Sequence, residues 1–262
     1  MRTQQIVTST DGTAIAFDLM GDGAPLVLVE PAGHFRGFSA FDELRPRLAR
    51  RFTVCSYDRR GRGASGDASD YSPQREIQDL AAIAGTFGRP ACIYGYSSGA
   101  LLALCAAAEG VAIKKLALLE PPLQEPDAAP DPLTEQLADL VAQGRRADAV
   151  EHFHLSIGVP TEYVEQMRGT TAFEAMTSIA HTLVYDCRIS EEITPDLLEA
   201  VRSPTLVLDS EGSTDNLSGW AADVARRLPC ATHRSLPGKW HSVDSQALTE
   251  TLTDFFAGSA KP

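Results

Sequence analysis

The most informative segment of the chain is ACIYGYSSGALLALCAAA, residues Ala91–Ala108. An apolar run meets Gly-Tyr-Ser-Ser-Gly and passes directly into a second run of small and apolar residues. This order predicts a strand, a sharp turn and a helix, with Ser97 on the turn. A Gly-x-Ser-x-Gly motif is weak evidence by itself, because any tight turn uses the same residue types.

The flanks of Ser97 favour a nucleophile over a purely structural turn. A strained strand-to-helix turn lifts a serine hydroxyl above the edge of a sheet. Gly95 and Gly99 remove side chains that would clash there. The amino end of the following helix would also stabilise negative charge that develops near Ser97.

Strand patterns and helical patterns alternate on both sides of this stretch. Asp11-Gly12 predicts a hairpin, and Ser72-Pro73 predicts the start of a helix. A further amphipathic helix, interrupted by a proline, is predicted in FDELRPRLARR. The apolar runs that predict strands buried on both faces are APLVLVEPAG, FTVCSYDRRGRGASG and IKKLALLEPP. The pattern predicts an α/β protein with one doubly wound, mostly parallel sheet.

The alternation breaks between Leu123 and Arg202, where a Pro- and Asp-rich linker, EPDAAPDP, is followed by helical patterns only. Strands and helices resume with SPTLVLDSEG. We therefore expect a core formed by residues 1–122 and 203–262, with a helical insertion at residues 123–202.

Composition excludes several classes of function. The chain has 262 residues, and its net charge of -12 disfavours binding to nucleic acid. It contains no apolar run of about 18 residues and no apolar leader, so we expect a cytoplasmic protein without a membrane partner. Cys55, Cys92 and Cys105 lie in apolar runs and predict core residues. No spacing typical of zinc, a P-loop or a dinucleotide site occurs, so neither metal nor cofactor is expected; both a monomer and a homodimer stay open.

Three motifs together resemble the α/β-hydrolase fold family: GYSSG at residues 95–99, YDRRGRGAS at 57–65 and GKWHSVD at 238–244. The resemblance extends from the first hairpin to the last helix. It places the helical insertion after the sixth strand, in the position of the family's cap. It also implies the chain order serine, acid, histidine, and no cofactor. His241 is then the predicted base, since it follows the last predicted strand and precedes the last helix.

The sequence leaves two positions open for the acid, at the ends of two different strands. Most relatives place it after the strand that follows the cap, where this chain has Ser213, with Asp209, Glu211 and Asp215 nearby. Some members place it after the sixth strand, where this chain has Glu120. A glutamate at the end of an apolar strand is costly to bury without a partner. We predict Glu120 as the acid, with Asp209 and Asp215 as the alternatives.

The resemblance further implies an oxyanion hole made from the backbone N–H groups of Ala32 and Ser98. Pro31 has no N–H and cannot contribute. Glu30 stands where relatives commonly have histidine; a Glu30 buried near Ser97 would disfavour ordinary ester hydrolysis.

Residues close to these motifs are candidates for contact with a small-molecule substrate. They are His34, Phe35, Tyr96 and Trp240, with Phe153 from the insertion. The remaining histidines are interpreted as structural or as lining the pocket mouth (His152, His154, His181) and as structural (His233). Asp58 and Arg59 are expected to stabilise loops around the site.

The predicted activity is hydrolysis of a small, mostly apolar ester, thioester or lactone through an acyl-enzyme on Ser97. One alternative is a non-hydrolytic enzyme on the same scaffold, catalysing carbon–carbon cleavage, elimination, cyclisation or perhydrolysis. Another alternative is a ligand-binding protein without catalysis.

Overall fold

The chain is built on an eight-stranded sheet. A computed structural model describes residues 4–123, 132–213 and 215–258. In chain order the strands of this sheet are β1 (Gln5–Thr8), β2 (Ala14–Met20), β3 (Ala24–Val29), β4 (Phe52–Tyr57), β5 (Ala91–Tyr96), β6 (Ile113–Leu119), β7 (Thr205–Ser210) and β8 (Ala231–Leu236). The short strands β9 (Gly238–Lys239) and β10 (Ser242–Val243) form a separate hairpin.

The spatial order of the sheet is β1-β2-β4-β3-β5-β6-β7-β8. Strand β2 is antiparallel to both β1 and β4, whereas β3 to β8 are parallel to one another. The predicted α/β class with a mostly parallel sheet is confirmed.

Helices cover both faces of the sheet. Those outside the insertion are α1 (Leu44–Leu48), α2 (Pro73–Gly85), α3 (Ser98–Ala108), α10 (Asp215–Arg227) and α11 (Ser245–Ala257). Strand β3 shows why its sequence is a continuous apolar run. Leu26 and Leu28 pack into the apolar cluster that includes α1 and α11, while Val27 and Val29 pack into the cluster that includes α2 and α3. Alternate side chains point to opposite faces, so a strand covered on both sides must be apolar throughout.

The insertion between β6 and β7 is helical throughout its described part. Its helices are α4 (Leu133–Ala142), α5 (Arg146–Ser156), α6 (Thr161–Met167), α7 (Thr171–Ser178), α8 (Thr182–Glu191) and α9 (Pro195–Ala200). Leu137, Val150 and Leu183 belong to an apolar cluster of the insertion itself. Ile189 and Leu198 instead join the cluster on the α3 face of the sheet. The insertion therefore shares part of the main core.

Local predictions are mostly confirmed. The Asp11-Gly12 hairpin joins β1 to β2, and α2 begins at Pro73, although the Ser72 side chain makes no capping hydrogen bond. The helix predicted in FDELRPRLARR is only five residues long, Leu44–Leu48. Most of the predicted linker lies at 124–131, outside the described residues. None of the described helices is both long and apolar enough to cross a bilayer.

Candidate active site

The carboxyl ends of the parallel strands bring the predicted site residues to one edge of the sheet. Glu30 follows β3, Ser97 follows β5 and Glu120 follows β6. His241 lies between β9 and β10, beyond β8. Ligand sites of open α/β sheets form at this edge, because the loops that leave the strand ends converge there.

Ser97 occupies a strained turn between β5 and α3. Its backbone has φ 53 and ψ -123, a conformation that residues with a side chain rarely adopt. The Ser97 N–H donates to Leu119 O at 2.9 Å, which fixes the turn against the end of β6.

The glycines on each side of Ser97 are required by close backbone approach. A Cβ atom on Gly95 would lie 2.5 Å from Gly99 O. A Cβ atom on Gly99 would lie 2.3 Å from Val29 O and 2.6 Å from Glu30 O. These distances show that helix α3 contacts the end of β3 through backbone atoms.

Glu120 and His241 are in direct contact. His241 Nδ1 lies 2.6 Å from Glu120 Oε2, and the Glu120 side chain is completely buried. The Glu120 N–H donates to Leu208 O at 2.9 Å, so the residue is anchored between the ends of β6 and β7. The structure thus places the predicted acid against the predicted base.

Residues after β7 hold the other oxygen of Glu120. The Ser210 N–H donates to Glu120 Oε1 at 2.8 Å, and the Ser213 hydroxyl donates to the same oxygen at 2.5 Å. The Ser213 oxygen in turn accepts the His241 N–H at 2.9 Å. Burial by itself raises the pKa of Glu120, but the hydrogen bonds from His241, Ser213 and the Ser210 amide outweigh it and hold the pKa below its ordinary value. Glu120 is therefore an anion.

The alternative acids are arranged differently. Asp209 is buried within β7, and its Oδ2 atom lies 3.2 Å from His233 Nε2. The structure therefore pairs Asp209 with His233 instead of His241. Asp215 is the first residue of α10, and its side chain lies outside the described part. Glu211 is exposed.

Within the described residues, the non-glycine residues with positive φ are Ser97 (φ 53), Glu120 (φ 43) and His241 (φ 51). Strained backbone of this kind persists where the surrounding structure enforces it, and it concentrates at functional sites. Among the described residues other than glycine, the predicted nucleophile, acid and base are therefore the ones with left-handed backbone geometry.

The hydroxyl of Ser97 has no hydrogen-bond partner among the described residues. Tyr96 precedes Ser97 in the chain, and its ring lies 5.0 Å from the His241 ring. The Tyr96 hydroxyl donates to His241 O. These contacts bring the His241 loop beside the Ser97 turn. Transfer of a proton from Ser97 to His241 stays a prediction; hydrogen bonds of this kind often tighten only with substrate bound.

The predicted oxyanion loop follows β3 and is held by an arginine. Arg62 Nη1 donates to Pro31 O at 2.7 Å and to His34 O at 3.1 Å. Gly33 has φ +72, and a Cβ atom there would lie 3.4 Å from Met176, so the loop runs directly beneath helix α7. Ser98, the other predicted donor, is the first residue of α3 and is buried.

Glu30 is almost completely buried, at 1% exposure. The Ser39 hydroxyl donates to one of its carboxyl oxygens, and the Ala40 N–H donates to the other at 3.1 Å. Burial raises the pKa of Glu30 to about 7. The carboxyl group is thus hydrogen-bonded to residues 39 and 40. With this pKa it is uncharged in a large fraction of molecules near neutral pH, which weakens the expected conflict with ester hydrolysis.

The other predicted substrate residues surround His241 and the oxyanion loop. His34 Nδ1 lies 2.9 Å from Ala32 O, and its ring stacks on Phe38 at 4.9 Å. Burial lowers the pKa of His34, despite this hydrogen bond. Trp240 is 39% exposed, with its ring 5.5 Å from that of His241. Phe35 pairs through its backbone with Phe38.

The histidines of the insertion do not contact Glu120. His152 bonds to Gln136 and His154 to Val150 O, while His181 lies 3.3 Å from Asp67. Phe153 packs against the apolar cluster of the insertion.

The arginine-rich loop after β4 forms an extensive buried charge network that sequence reasoning only partly found. Asp58 accepts the backbone N–H groups of Arg36 and Ala64, both at 2.8 Å, in line with its predicted role in stabilising loops. Arg59 donates to Glu76 and Asp186, each at 2.7 Å. The contribution of Asp186, on helix α8, was missed. The available signal was that three arginines in a loop following a buried strand require carboxylates if they too are buried.

No group of three or more histidine, cysteine, aspartate or glutamate side chains suited to a metal ion occurs in the part of the chain that the structure describes. Cys55, Cys92 and Cys105 are buried free thiols, as predicted for core residues.

The chain is similar to known proteins. The family described as "Alpha/beta hydrolase family" matches residues 23–251. The chain therefore belongs to the alpha/beta hydrolase family and is an enzyme of the hydrolase type. No curated protein matches the chain.

Solved structures give the same fold. An alpha/beta hydrolase from Sphaerobacter thermophilus is 41% identical with a TM-score of 0.89, covering 96% of this chain and 100% of its own. An esterase from Exiguobacterium antarcticum is 16% identical with a TM-score of 0.77, covering 98% of this chain and 100% of its own. An enol-lactonase from Burkholderia xenovorans is 20% identical with a TM-score of 0.71, covering 97% of this chain and 100% of its own.

Proposed function

We propose that the protein is a serine hydrolase that cleaves a small, mostly apolar ester, thioester or lactone through an acyl-enzyme on Ser97. The observation that carries this proposal is the hydrogen bond of 2.6 Å between buried Glu120 and His241, at the strand end beside the strained Ser97 turn. Such a carboxylate–imidazole pair has a clear chemical use when a serine is present to be activated.

The Glu120 anion assigns the roles of the two nitrogens of His241. Nδ1 carries a proton and donates a hydrogen bond to Glu120, which leaves the lone pair on Nε2 to accept the proton of the Ser97 hydroxyl. Ser97 Oγ attacks the carbonyl carbon, and the carbonyl electrons move onto its oxygen. His241 then protonates the leaving group, and a water molecule, activated by the same histidine, releases the acid.

The oxyanion of each tetrahedral intermediate is assigned to the N–H groups of Ala32 and Ser98. Ser98 opens helix α3, so its N–H adds the positive end of the helix dipole. Loss of one such donor typically costs about 3 kcal/mol of transition-state stabilisation.

A small, mostly apolar acyl substrate is supported by the residues around the site. We assign contact with the substrate to His34, Phe35, Tyr96 and Trp240, and the role of a cap to the helices of the insertion. The similarity in fold to an esterase and an enol-lactonase agrees with an ester or lactone bond as the target.

The first test is Ser97→Ala assayed with para-nitrophenyl butyrate. We expect kcat to fall by about a million-fold, since removal of a serine nucleophile removes the whole covalent pathway. Ser178→Ala, which removes an exposed hydroxyl on α7, is the matched control and retains wild-type turnover. Full activity of Ser97→Ala contradicts the proposal. Labelling of Ser97 by a fluorophosphonate without turnover of any acyl ester would favour a non-hydrolytic reaction instead.

A further inference from the structure

The direction of the Ala32 N–H is set by the carbonyl that shares its peptide bond. A trans peptide group is planar, and its C=O and N–H point in opposite directions. The carbonyl partner of the Ala32 N–H is Pro31 O, which accepts a short hydrogen bond of 2.7 Å from Arg62 Nη1 and a longer one of 3.4 Å from the His34 N–H. Arg62 therefore fixes the direction in which the Ala32 N–H points, and its charge polarises the same amide.

Arg62 is itself held by the insertion. Its Nη2 atom lies 2.7 Å from Asp186 Oδ2, on helix α8. The other oxygen of Asp186 lies 2.7 Å from Arg59 Nη1, which also donates to Glu30 O at 3.3 Å. One carboxylate thus holds two arginines, which in turn hold two successive carbonyls of the oxyanion loop.

This bridge between the insertion and the loop is buried and charged. The side chains of Arg59, Arg62 and Asp186 are 0%, 1% and 2% exposed. Burial by itself raises the pKa of Asp186, but Arg59 and Arg62 outweigh it and hold the pKa below its ordinary value, so the group is an anion. Arg59 has a second carboxylate in Glu76, whereas Asp186 is the carboxylate partner of Arg62 among the described residues.

We propose that Asp186 is a positioning residue for the oxyanion hole: the helical insertion, through Asp186 and Arg62, fixes the Ala32 N–H in the orientation that receives the oxyanion. The inference rests on the proposed function, since it assigns the oxyanion to Ala32. It gives the insertion a part in catalysis in addition to enclosing the substrate. A shift of α8 would disorder the donor, so the position of the insertion is coupled to the rate of the chemical step.

Asp186→Asn is the sharpest change, because it keeps the shape of the side chain and removes its charge. We expect kcat to fall by about tenfold to a hundredfold with KM nearly unchanged, less than complete loss of an oxyanion donor would cause. Asp79→Asn is the matched control. It breaks another buried pair of the same loop, in which Asp79 Oδ1 lies 2.7 Å from Arg60 Nη2, and that pair does not contact residues 30–34.

A positioning role is separated from a general loss of structure by comparing the affinities of two ligands. These are hexyl trifluoromethyl ketone and the alcohol with the same carbon skeleton, and fluorine NMR measures the binding of each. In the ketone adduct Ser97 Oγ bonds to the carbonyl carbon, the proton passes to His241, and the electron pair stays on the oxygen in the oxyanion hole. The alcohol fills the same space without forming that oxyanion. We expect Asp186→Asn to weaken the ketone at least about tenfold and to leave the alcohol unchanged, as a defect confined to the transition state requires.

Each result decides the matter. Unchanged ketone affinity in Asp186→Asn, an equal loss for both ligands, or an equal ketone loss in Asp79→Asn overturns the positioning role. If Asp186→Asn does not fold, Arg62→Lys replaces it; lysine keeps the charge but lacks the fork that spans Asp186 and Pro31 O, so the same selective loss is expected. Wild-type protein that binds the ketone but hydrolyses no ester refutes the proposed hydrolysis and still tests Asp186. Wild-type protein that forms no ketone adduct refutes both.

Discussion

Single residues at this site carry unfavourable backbone geometry that the rest of the fold enforces. Ser97, Glu120 and His241 all have positive φ. Each such conformation costs on the order of 1–3 kcal/mol. The bonds that hold them are specific: Ser97 N–H to Leu119 O, Glu120 N–H to Leu208 O, and the bond from the His241 N–H to the Ser213 hydroxyl. Local strain at these residues is thus offset by contacts between neighbouring strand ends.

Which carboxylate meets His241 follows from where each carboxylate leaves its strand. Glu120 comes just after β6, where positive φ turns the chain away from the strand direction. Asp209 is still inside β7, on the face of Val207, which packs into the cluster that includes α10. Successive side chains of a strand point to opposite faces of the sheet, so the Asp209 side chain points to that face and cannot reach His241.

The first prediction at the residue scale concerns this acid. Glu120→Gln should lower kcat by about ten-thousandfold, because a neutral amide no longer selects the tautomer of His241 that leaves Nε2 free. Asp209→Asn is the matched control at the neighbouring strand and should retain kcat within about tenfold. Steady-state kinetics with an acyl ester checks both, and a reversed order of the two losses would show that the acid is misassigned.

Among the elements, helix α3 and strand β3 are the closest neighbours of the nucleophile turn. Their contact is made by backbone atoms, since a Cβ atom on Gly99 would lie 2.3 Å from Val29 O. The first turn of α3 therefore lies directly beside the end of β3, where the predicted oxyanion loop begins.

Gly99→Ala tests this close approach. The added methyl group must push α3 away from β3, so we expect a loss of about 1–3 kcal/mol in unfolding free energy, or more. Gly219→Ala, in the exposed part of helix α10, meets nothing within 4 Å and should stabilise by about 0.5–1 kcal/mol. Urea unfolding of both variants measures the two effects. Equal stabilities would mean that α3 does not press against β3.

The elements themselves were largely predictable from sequence. Apolar runs predicted the buried strands because a strand covered on both faces must be apolar, as in β3. The length of α1 was overestimated: amphipathic spacing continues beyond Leu48, but the chain must bend there to enter β4 at Phe52. The helix propensity of a segment does not depend on where the next strand has to begin.

Over the whole molecule, the distribution of charge is unusual for a chain whose net charge is -12. Arg59, Arg60 and Arg62 are among its most deeply buried large side chains. Each is paired with at least one carboxylate, which is the condition for burying such groups without severe cost. Glu30 differs, because its carboxyl group is bonded to a hydroxyl and a backbone N–H instead of a cation.

Glu30 should therefore make overall stability depend on pH. Burial raises its pKa from an ordinary value of 4.5 to about 7. The folded protein then binds more protons than the unfolded chain between these values, so its stability falls as pH rises through that window. At about 1.4 kcal/mol for each tenfold change in proton affinity, the charged form costs about 3 kcal/mol.

Glu30→Gln removes this cost, so its unfolding free energy should exceed that of the wild type by a margin that grows between about pH 5 and about pH 8. Urea unfolding across this range measures the margin. The exposed substitution Glu211→Gln is the control and should show a constant difference from wild type. Parallel pH profiles for Glu30→Gln and wild type would contradict the assignment of an uncompensated buried carboxyl group.

The class of fold, the order of its elements, the helical insertion and the candidate nucleophile and base could all be predicted from the sequence, because they depend on local patterns and short motifs. The contact between His241 and a particular carboxylate became visible only in the folded chain, since Glu120 lies 121 positions away along the sequence. The tertiary structure also revealed Asp186, whose partners come from the loop after β4. Contacts of this kind depend on which strand ends and helices become neighbours, and no periodicity in the chain encodes that choice.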